Sequence, residues 1–176
     1  MKVDLSSIDK EPISFEERLT LPPDRLDQDQ VAGDVEVRLA GSARSVAGGY
    51  LLEGSIQAAG PLACARCLEP VPWQLEDRFS VEYRTAEHDP GEGEFPVDED
   101  DLDVAFLTGN EIELDDVAAE QVILALPMRI VCDEACAGLC PRCGANRNRP
   151  GACRCEPEPD PRWQTLRDLA GKSSAN

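Results

Sequence analysis

Val71-Pro72-Trp73-Gln74-Leu75-Glu76-Asp77-Arg78-Phe79-Ser80-Val81-Glu82-Tyr83 is the stretch that decides the reading of the chain. Val71, Trp73, Leu75, Phe79, Val81 and Tyr83 alternate with Pro72, Gln74, Glu76, Arg78, Ser80 and Glu82. A period of two puts the first set on one face, which describes a strand with one side buried. Trp73, the largest ring in the set, is expected to be buried, at a cost of roughly 3 to 5 kcal/mol on truncation to alanine. Asp77 alone interrupts the apolar face and predicts a bulge. Upstream, Asp34-Val35-Glu36-Val37-Arg38-Leu39 alternates in the same way, and Tyr50, Leu52, Ile56 and Ala58 continue the habit. The stretch from Gly41 to Gly49, and Gly60-Pro61, read as breakers between strands. Parallel neighbours would need helical crossovers, so the runs predict sequential antiparallel strands in a meander or a partly open barrel.

Downstream of Arg84 the pattern dissolves. Residues 85 to 120 hold fourteen acids and no Lys or Arg, with a dense cluster at Asp98, Glu99, Asp100, Asp101 and Asp103. Like charges at that density repel one another and keep out of a core, so residues 85–111 are expected to form an exposed acidic loop. Asp115-Asp116 then open a helix of about 115–126, with carboxylates at the positive end of its dipole and an apolar set of Val117, Ala118, Val122, Ala125 and Leu126, until Pro127 stops it. Asp160-Pro161 begins a short C-terminal helix with a Trp163, Leu166 and Ala170 stripe, closed by Gly171. The expected fold is therefore α+β: an antiparallel β-sheet or partly open barrel with one or two packed helices and a C-terminal zinc-ribbon-like segment. Residues 1–131 form the β-rich part and residues 132–176 the Cys-rich part.

At 176 residues the chain is sized for one domain with a small satellite, and 41% hydrophobic residues suffice for a core. The longest apolar run, Val122 to Met128, is far short of the roughly 18 residues a membrane span needs. Asp4, Ser6 and Ser7 stand where a secretory signal would be apolar, so a cytoplasmic protein is expected. A net charge of −18 argues against a surface that tracks nucleic acid everywhere, DNA included. The charge is segregated, however: Pro127 to Cys155 holds Arg129, Arg142, Arg147, Arg149 and Arg154 against only Asp133 and Glu134.

The eight cysteines form four close pairs: Cys64-x2-Cys67, Cys132-x3-Cys136, Cys140-x2-Cys143 and Cys153-x-Cys155. Structural disulfides are rare in a reducing cytosol, whereas four thiolates make a closed tetrahedral zinc site, and a short spacing lets one turn aim two sulfurs at one ion. Sequence distance joins Cys140/Cys143 with Cys153/Cys155, leaving Cys64/Cys67 for Cys132/Cys136, and two Zn2+ per chain. Free thiols, redox chemistry at Cys64-Ala65-Arg66-Cys67, and an iron–sulfur cluster are the other uses of such pairs. The first two lack a reason for four regular pairs or a surrounding βαβ pattern, and the common bacterial cluster signature is not present. Saturated four-cysteine sites leave no open position for a catalytic water. His88, the sole histidine, stands in the acidic loop beside no nucleophile, and there is no GxGxxG or Walker loop. The chain reads as a binding protein, not an enzyme.

Ala65-Arg66-Cys67-Leu68, Glu120-Gln121-Val122-Ile123-Leu124-Ala125-Leu126-Pro127, Gly138-Leu139-Cys140-Pro141-x-Cys143-Gly144-x-Asn146-x-Asn148 and Asp160-Pro161-Arg162-Trp163, in that order, resemble the YceD family of bacteria and plastids. The likeness spans about residues 60 to 170. It implies a ribosome-biogenesis factor that supports synthesis, processing or accumulation of large-subunit ribosomal RNA, without implying a mechanism. Beside the resemblance, the residues offer two modes of binding. Arg142, Arg147, Arg149 and Arg154 suit phosphate contacts or base stacking, while Asn146 and Asn148 suit base edges or, equally, the loop's own backbone. The same arginines could instead offset zinc-thiolate charge, about −2 for each four-thiolate site. In the alternative mode the chain is a zinc-stabilised adaptor whose acidic face holds a basic ribosomal protein.

Overall fold

The computed structural model describes residues 2–8, 11–85, 104–107, 109–151, 153–155 and 161–163. Strands β1 (Lys2–Asp4), β2 (Ile13–Leu21), β3 (Val35–Val46), β4 (Gly49–Ala63), β5 (Pro70–Thr85), β6 (Val104–Leu107) and β7 (Glu111–Glu113) accompany a one-turn helix α1 (Pro23–Leu26) and the helix α2 (Leu114–Ala125). The main sheet is open, in the order β2-β3-β4-β5-β6, and β1 pairs with β7 in a separate two-stranded ribbon. β2 through β5 form the expected antiparallel meander. β6 departs from it by running parallel to β5. No helix among the described residues is long and apolar enough to cross a membrane.

Alternation holds through the sheet. Val35, Val37, Leu39 and Ala43 of β3 and Leu52, Ile56, Ala58 and Leu62 of β4 are buried on one face. α2 packs against β2 through β5 and contributes Leu114, Val117, Ala118 and Val122 to the same core. Asp115 and Asp116 sit in its first turn, and Asp116 pairs with Arg25 of α1.

Several expectations need correction. There is no bulge at Asp77, since β4 and β5 stay in unbroken register from Gly49↔Arg84 to Ala63↔Pro70. Asp77 simply ends a row across the sheet, Glu17–Leu39–Ile56–Asp77. The two central residues of that row are fully buried, and the acids stand at its margins. The stretch from Gly41 to Gly49 does hold the break between β3 and β4, at Ala47-Gly48 with Gly48 at φ 87°, but Gly41 itself lies inside β3, and Gly60 and Pro61, like Gly54, lie inside β4. Phe15, Gly41, Gly54 and Phe79 are cross-strand neighbours in one row. A Cβ on Gly41 would come within 2.8 Å of the Phe15 ring and 2.2 Å of the Glu53 carbonyl oxygen. One on Gly54 would come within 2.8 Å of the Phe79 ring and 2.5 Å of the Ala40 oxygen. The two inner residues are glycine because the rings of the two outer ones lie over them, which covers backbone that glycine would leave bare.

Trp73 is only half-buried: it lies opposite Gly60, on the outer length of β5 that β6 does not reach. The proposed acidic loop 85–111 contains β6 and the first residue of β7. Asp98, Glu99, Asp100, Asp101, Asp103 and His88 lie outside the described residues, as does the C-terminal helix beyond a single 3-10 turn at Pro161–Trp163.

Candidate metal centres

β4 ends at Ala63, and the chain reverses through Cys64-Ala65-Arg66-Cys67-Leu68-Glu69 into β5. The Leu68 backbone N–H donates to the Cys64 carbonyl and the Cys64 N–H to that of Glu69, both at 2.9 Å. Closing so tight a turn requires a left-handed residue after the second cysteine, and Leu68 takes that conformation with φ 62°. The same turn recurs at Cys140-Pro141-Arg142-Cys143-Gly144. There the Gly144 N–H donates to the Cys140 carbonyl at 2.8 Å, and glycine fills the left-handed position at φ 71°. An L residue in this conformation costs roughly 1–2 kcal/mol, partly offset by the freedom glycine loses on folding. Leu68→Gly should therefore raise stability by up to about 1 kcal/mol in a denaturant melt. A drop would mean that the Leu68 side chain, 63% exposed, packs on something in solution.

The second pair arrives after Pro127 ends α2. The Ala65 N–H donates to the Ile130 carbonyl at 2.9 Å, which aligns this segment with the first turn. Cys132-x3-Cys136 is closed by Asp133, whose side chain accepts the Ala135 N–H at 2.7 Å and whose carbonyl accepts that of Cys136 at 3.0 Å. Arg66 clamps the junction, its guanidinium donating to the carbonyls of Glu134 at 2.8 Å and Cys136 at 3.0 Å.

The sulfurs of Cys64, Cys67, Cys132 and Cys136 consequently lie within 4.8 Å of one another, as do those of Cys140, Cys143, Cys153 and Cys155. Three separations are 3.9 Å for Cys64–Cys136, 3.6 Å for Cys67–Cys132 and 3.7 Å for Cys143–Cys153. A tetrahedron of thiolates about 2.3 Å from a central ion has edges of about 3.8 Å, whereas a disulfide is about 2.05 Å. Either tetrad could hold a metal ion. In the proximal tetrad Cys64, Cys67 and Cys136 are buried and Cys132 exposed; in the distal one Cys140 is buried, while Cys143 and Cys155 are exposed.

The thiols of each tetrad are spread apart in acidity. Burial pushes the Cys64 thiol up, but the backbone N–H groups of Cys132, Arg66 and Cys67 outweigh it and hold the thiol at about 6. Cys132 is pushed up to about 12 by the sulfurs of Cys136 and Cys67. The distal tetrad repeats this: backbone N–H groups of Cys143 and Arg142 hold Cys140 at about 6, and the sulfurs of Cys143 and Cys153 push Cys155 up to about 12. One sulfur ionises readily and the last resists, because negative charge accumulates; a divalent cation supplies what four thiolates need.

Of the residues expected to meet RNA, Arg142, Arg147, Arg149 and Arg154 are all exposed. Arg149 pairs with Glu69 at 2.6 Å. The asparagines are engaged within the chain: Asn146 donates to Glu69 at 3.2 Å, and Asn148 donates to the Cys136 sulfur at 3.2 Å. That amide is the main cause holding the Cys136 thiol below its usual range. Spacing had pointed to neither Arg66 nor Glu69, because their partners lie more than sixty residues away.

The family model described as large ribosomal RNA subunit accumulation protein YceD matches residues 52–170. Proteins of Mycobacterium tuberculosis and Mycobacterium bovis, both described as uncharacterized, are 32% identical over 178 residues, covering 99% of this chain and 83% of theirs. A Zea mays protein described as large ribosomal RNA subunit accumulation protein YCED homolog 1, chloroplastic, is 27% identical over 128 residues, 60% of this chain and 44% of its own. No solved structure matches.

Proposed function

The chain belongs to the YceD family, and from that premise we propose that it is a cytoplasmic ribosome-biogenesis factor supporting accumulation of large-subunit ribosomal RNA by binding rather than by catalysis. Each tetrad holds one zinc ion in this reading, since four cysteine sulfurs at tetrahedral separations are the donor set of a structural zinc site. The Cys-rich part, residues 132–176, then forms a zinc-ribbon-like appendage on the β-rich part, joined to it through Cys132 and Cys136.

The observation that carries the RNA reading is the placement of Arg142, Arg147 and Arg154. All three are exposed and stand beside or between the distal cysteines, on a segment that metal would hold rigid. Arg149, Asn146 and Asn148 serve as framework in this reading, because their contacts fasten the ribbon to Glu69 and Cys136.

Arg142, Arg147 and Arg154 replaced together by alanine should weaken binding to large-subunit ribosomal RNA at least tenfold with both zinc ions retained. The slope of log affinity against log salt should fall by about 0.7 for each phosphate contact removed from single-stranded RNA. Titrations at several salt concentrations, with metal content measured in parallel, decide it. Unchanged affinity and slope would overturn the RNA reading. Capture of a basic ribosomal protein by Asp98, Glu99, Asp100, Asp101 and Asp103 would then become the better account.

A further inference from the structure

The loop between the two distal cysteine pairs reaches the proximal centre. Asn148 Nδ2 lies 3.2 Å from the Cys136 sulfur, while Asn148 Oδ1 accepts the Ala137 backbone N–H at 2.7 Å. Asn146 Oδ1 steadies Asn148 by accepting its backbone N–H at 3.0 Å and its side-chain amide at 2.9 Å. Asn146 and Arg149 both end on Glu69, two residues after Cys67. The backbone repeats the connection, with the Leu139 N–H on the Arg66 carbonyl and the Arg147 N–H on that of Gly138, each at 2.9 Å. Asn148 and Arg149 also line, with Cys67, Cys132 and Cys136, a cleft of about 420 Å³ at the proximal sulfurs.

We propose that Asn148 is a positioning residue for the proximal metal centre and that metal in the distal centre holds it there, so that loading one tetrad tightens the other. The proposal rests on the reading that both tetrads bind zinc. An N–H donated to a coordinated thiolate disperses charge that the ion leaves unneutralised and fixes the direction of the sulfur. Losing such an outer partner typically weakens metal binding by about 10- to 100-fold. Asn148 keeps its place only while its loop does, and the loop is closed at its two ends by Cys143 and Cys153. Because coupling between binding sites is reciprocal, the proximal ion favours distal loading by the same factor. With two exposed cysteines, Cys143 and Cys155, against Cys132 alone in the proximal tetrad, the distal tetrad is the more open to chelators and oxidants, and its loss is passed inward.

The test uses the full chain and zinc alone, titrated against a chromogenic chelator. The Cys143→Ser/Cys155→Ser chain keeps only the proximal step and identifies it. Asn148→Asp keeps the oxygen that accepts the Ala137 N–H but removes the amide donor. It should raise the proximal zinc dissociation constant about tenfold, with circular dichroism at saturating zinc unchanged and the melting temperature lowered only by as much as a tenfold weaker site accounts for. Asn148→Ala should show the loss too, which separates it from mere charge repulsion. The distal double variant should weaken the proximal site similarly, and adding Asn148→Asp to it should cost little more. An unchanged proximal affinity in both Asn148 variants would overturn the proposal, as would an Asn148→Asp loss that persists undiminished without the distal cysteines. Failure of the unsubstituted chain to bind zinc would show instead that the metal reading itself is wrong, and the coupling would fall with it.

Discussion

Cys64→Ser should strip one zinc ion from each chain and destabilise the whole sheet, whereas Cys155→Ser should strip the other and cost the sheet much less. Cys64 is fully buried at the end of β4, and its sulfur receives the Cys132 N–H at 3.4 Å. The residue therefore joins the β4–β5 turn to the chain leaving α2. A structural zinc site has an apparent binding energy on the order of 10 kcal/mol, and binding energy in a site the unfolded chain lacks is folding energy. If a third of it reaches the sheet, about 3 kcal/mol is lost, a fall in Tm of about 6–12 °C for a chain of this size. Cys155, by contrast, is exposed. Elemental analysis with calorimetry of both variants is decisive. Equal losses of Tm would make the ribbon part of the main cooperative unit, and a Cys64→Ser chain that keeps two zinc ions would rule out the proximal centre.

Ile56→Ala should cost about 2–5 kcal/mol. Ile56 is 1% exposed in the central strand and lies opposite Leu39, which is fully buried. Beneath α2 there is little room for neighbours to collapse into the space left. Trp73→Ala should cost less despite the larger ring, because part of that ring stays in water and its removal leaves no closed cavity in the core. Urea melts rank the two directly. The opposite order would mean that the Trp73 ring is fully covered in solution.

Trp73 also shows where sequence reading stops. Period two correctly identified the face of β5 on which the ring lies, but alternation is blind to distance from the sheet's middle, and Trp73 stands off centre. Glycine misled for a related reason. Local chemistry makes Gly41 read as part of a break, while its actual role, like that of Gly54 opposite it, is set by Phe15 and Phe79, which come from other strands. β2 escaped notice because Glu17 occupies the inward-facing register of Phe15 and Leu19 and spoils the alternation at the sheet's edge. The four cysteine pairs were legible because each pair's geometry is local. The wiring around them was not, since Asn146 and Arg149 meet Glu69 across 77 and 80 residues of chain, and only the completed fold brings them together.

The order in which the cysteines leave the ribosome exposes the two tetrads unequally. Cys67 must wait 65 residues for Cys132, whereas Cys143 waits only ten for Cys153. At the usual 5–20 residues per second of synthesis, the first thiols stand unpartnered for about 3–13 s and the second for about 0.5–2 s. Closing the longer loop also costs more chain entropy, by about 1.7 kcal/mol on a logarithmic dependence on length. The distal ribbon therefore closes soon after its last cysteine emerges, but Cys64 and Cys67 spend seconds in the nascent chain as bare thiols. That interval makes the innermost sulfurs of the finished protein its most vulnerable ones during manufacture.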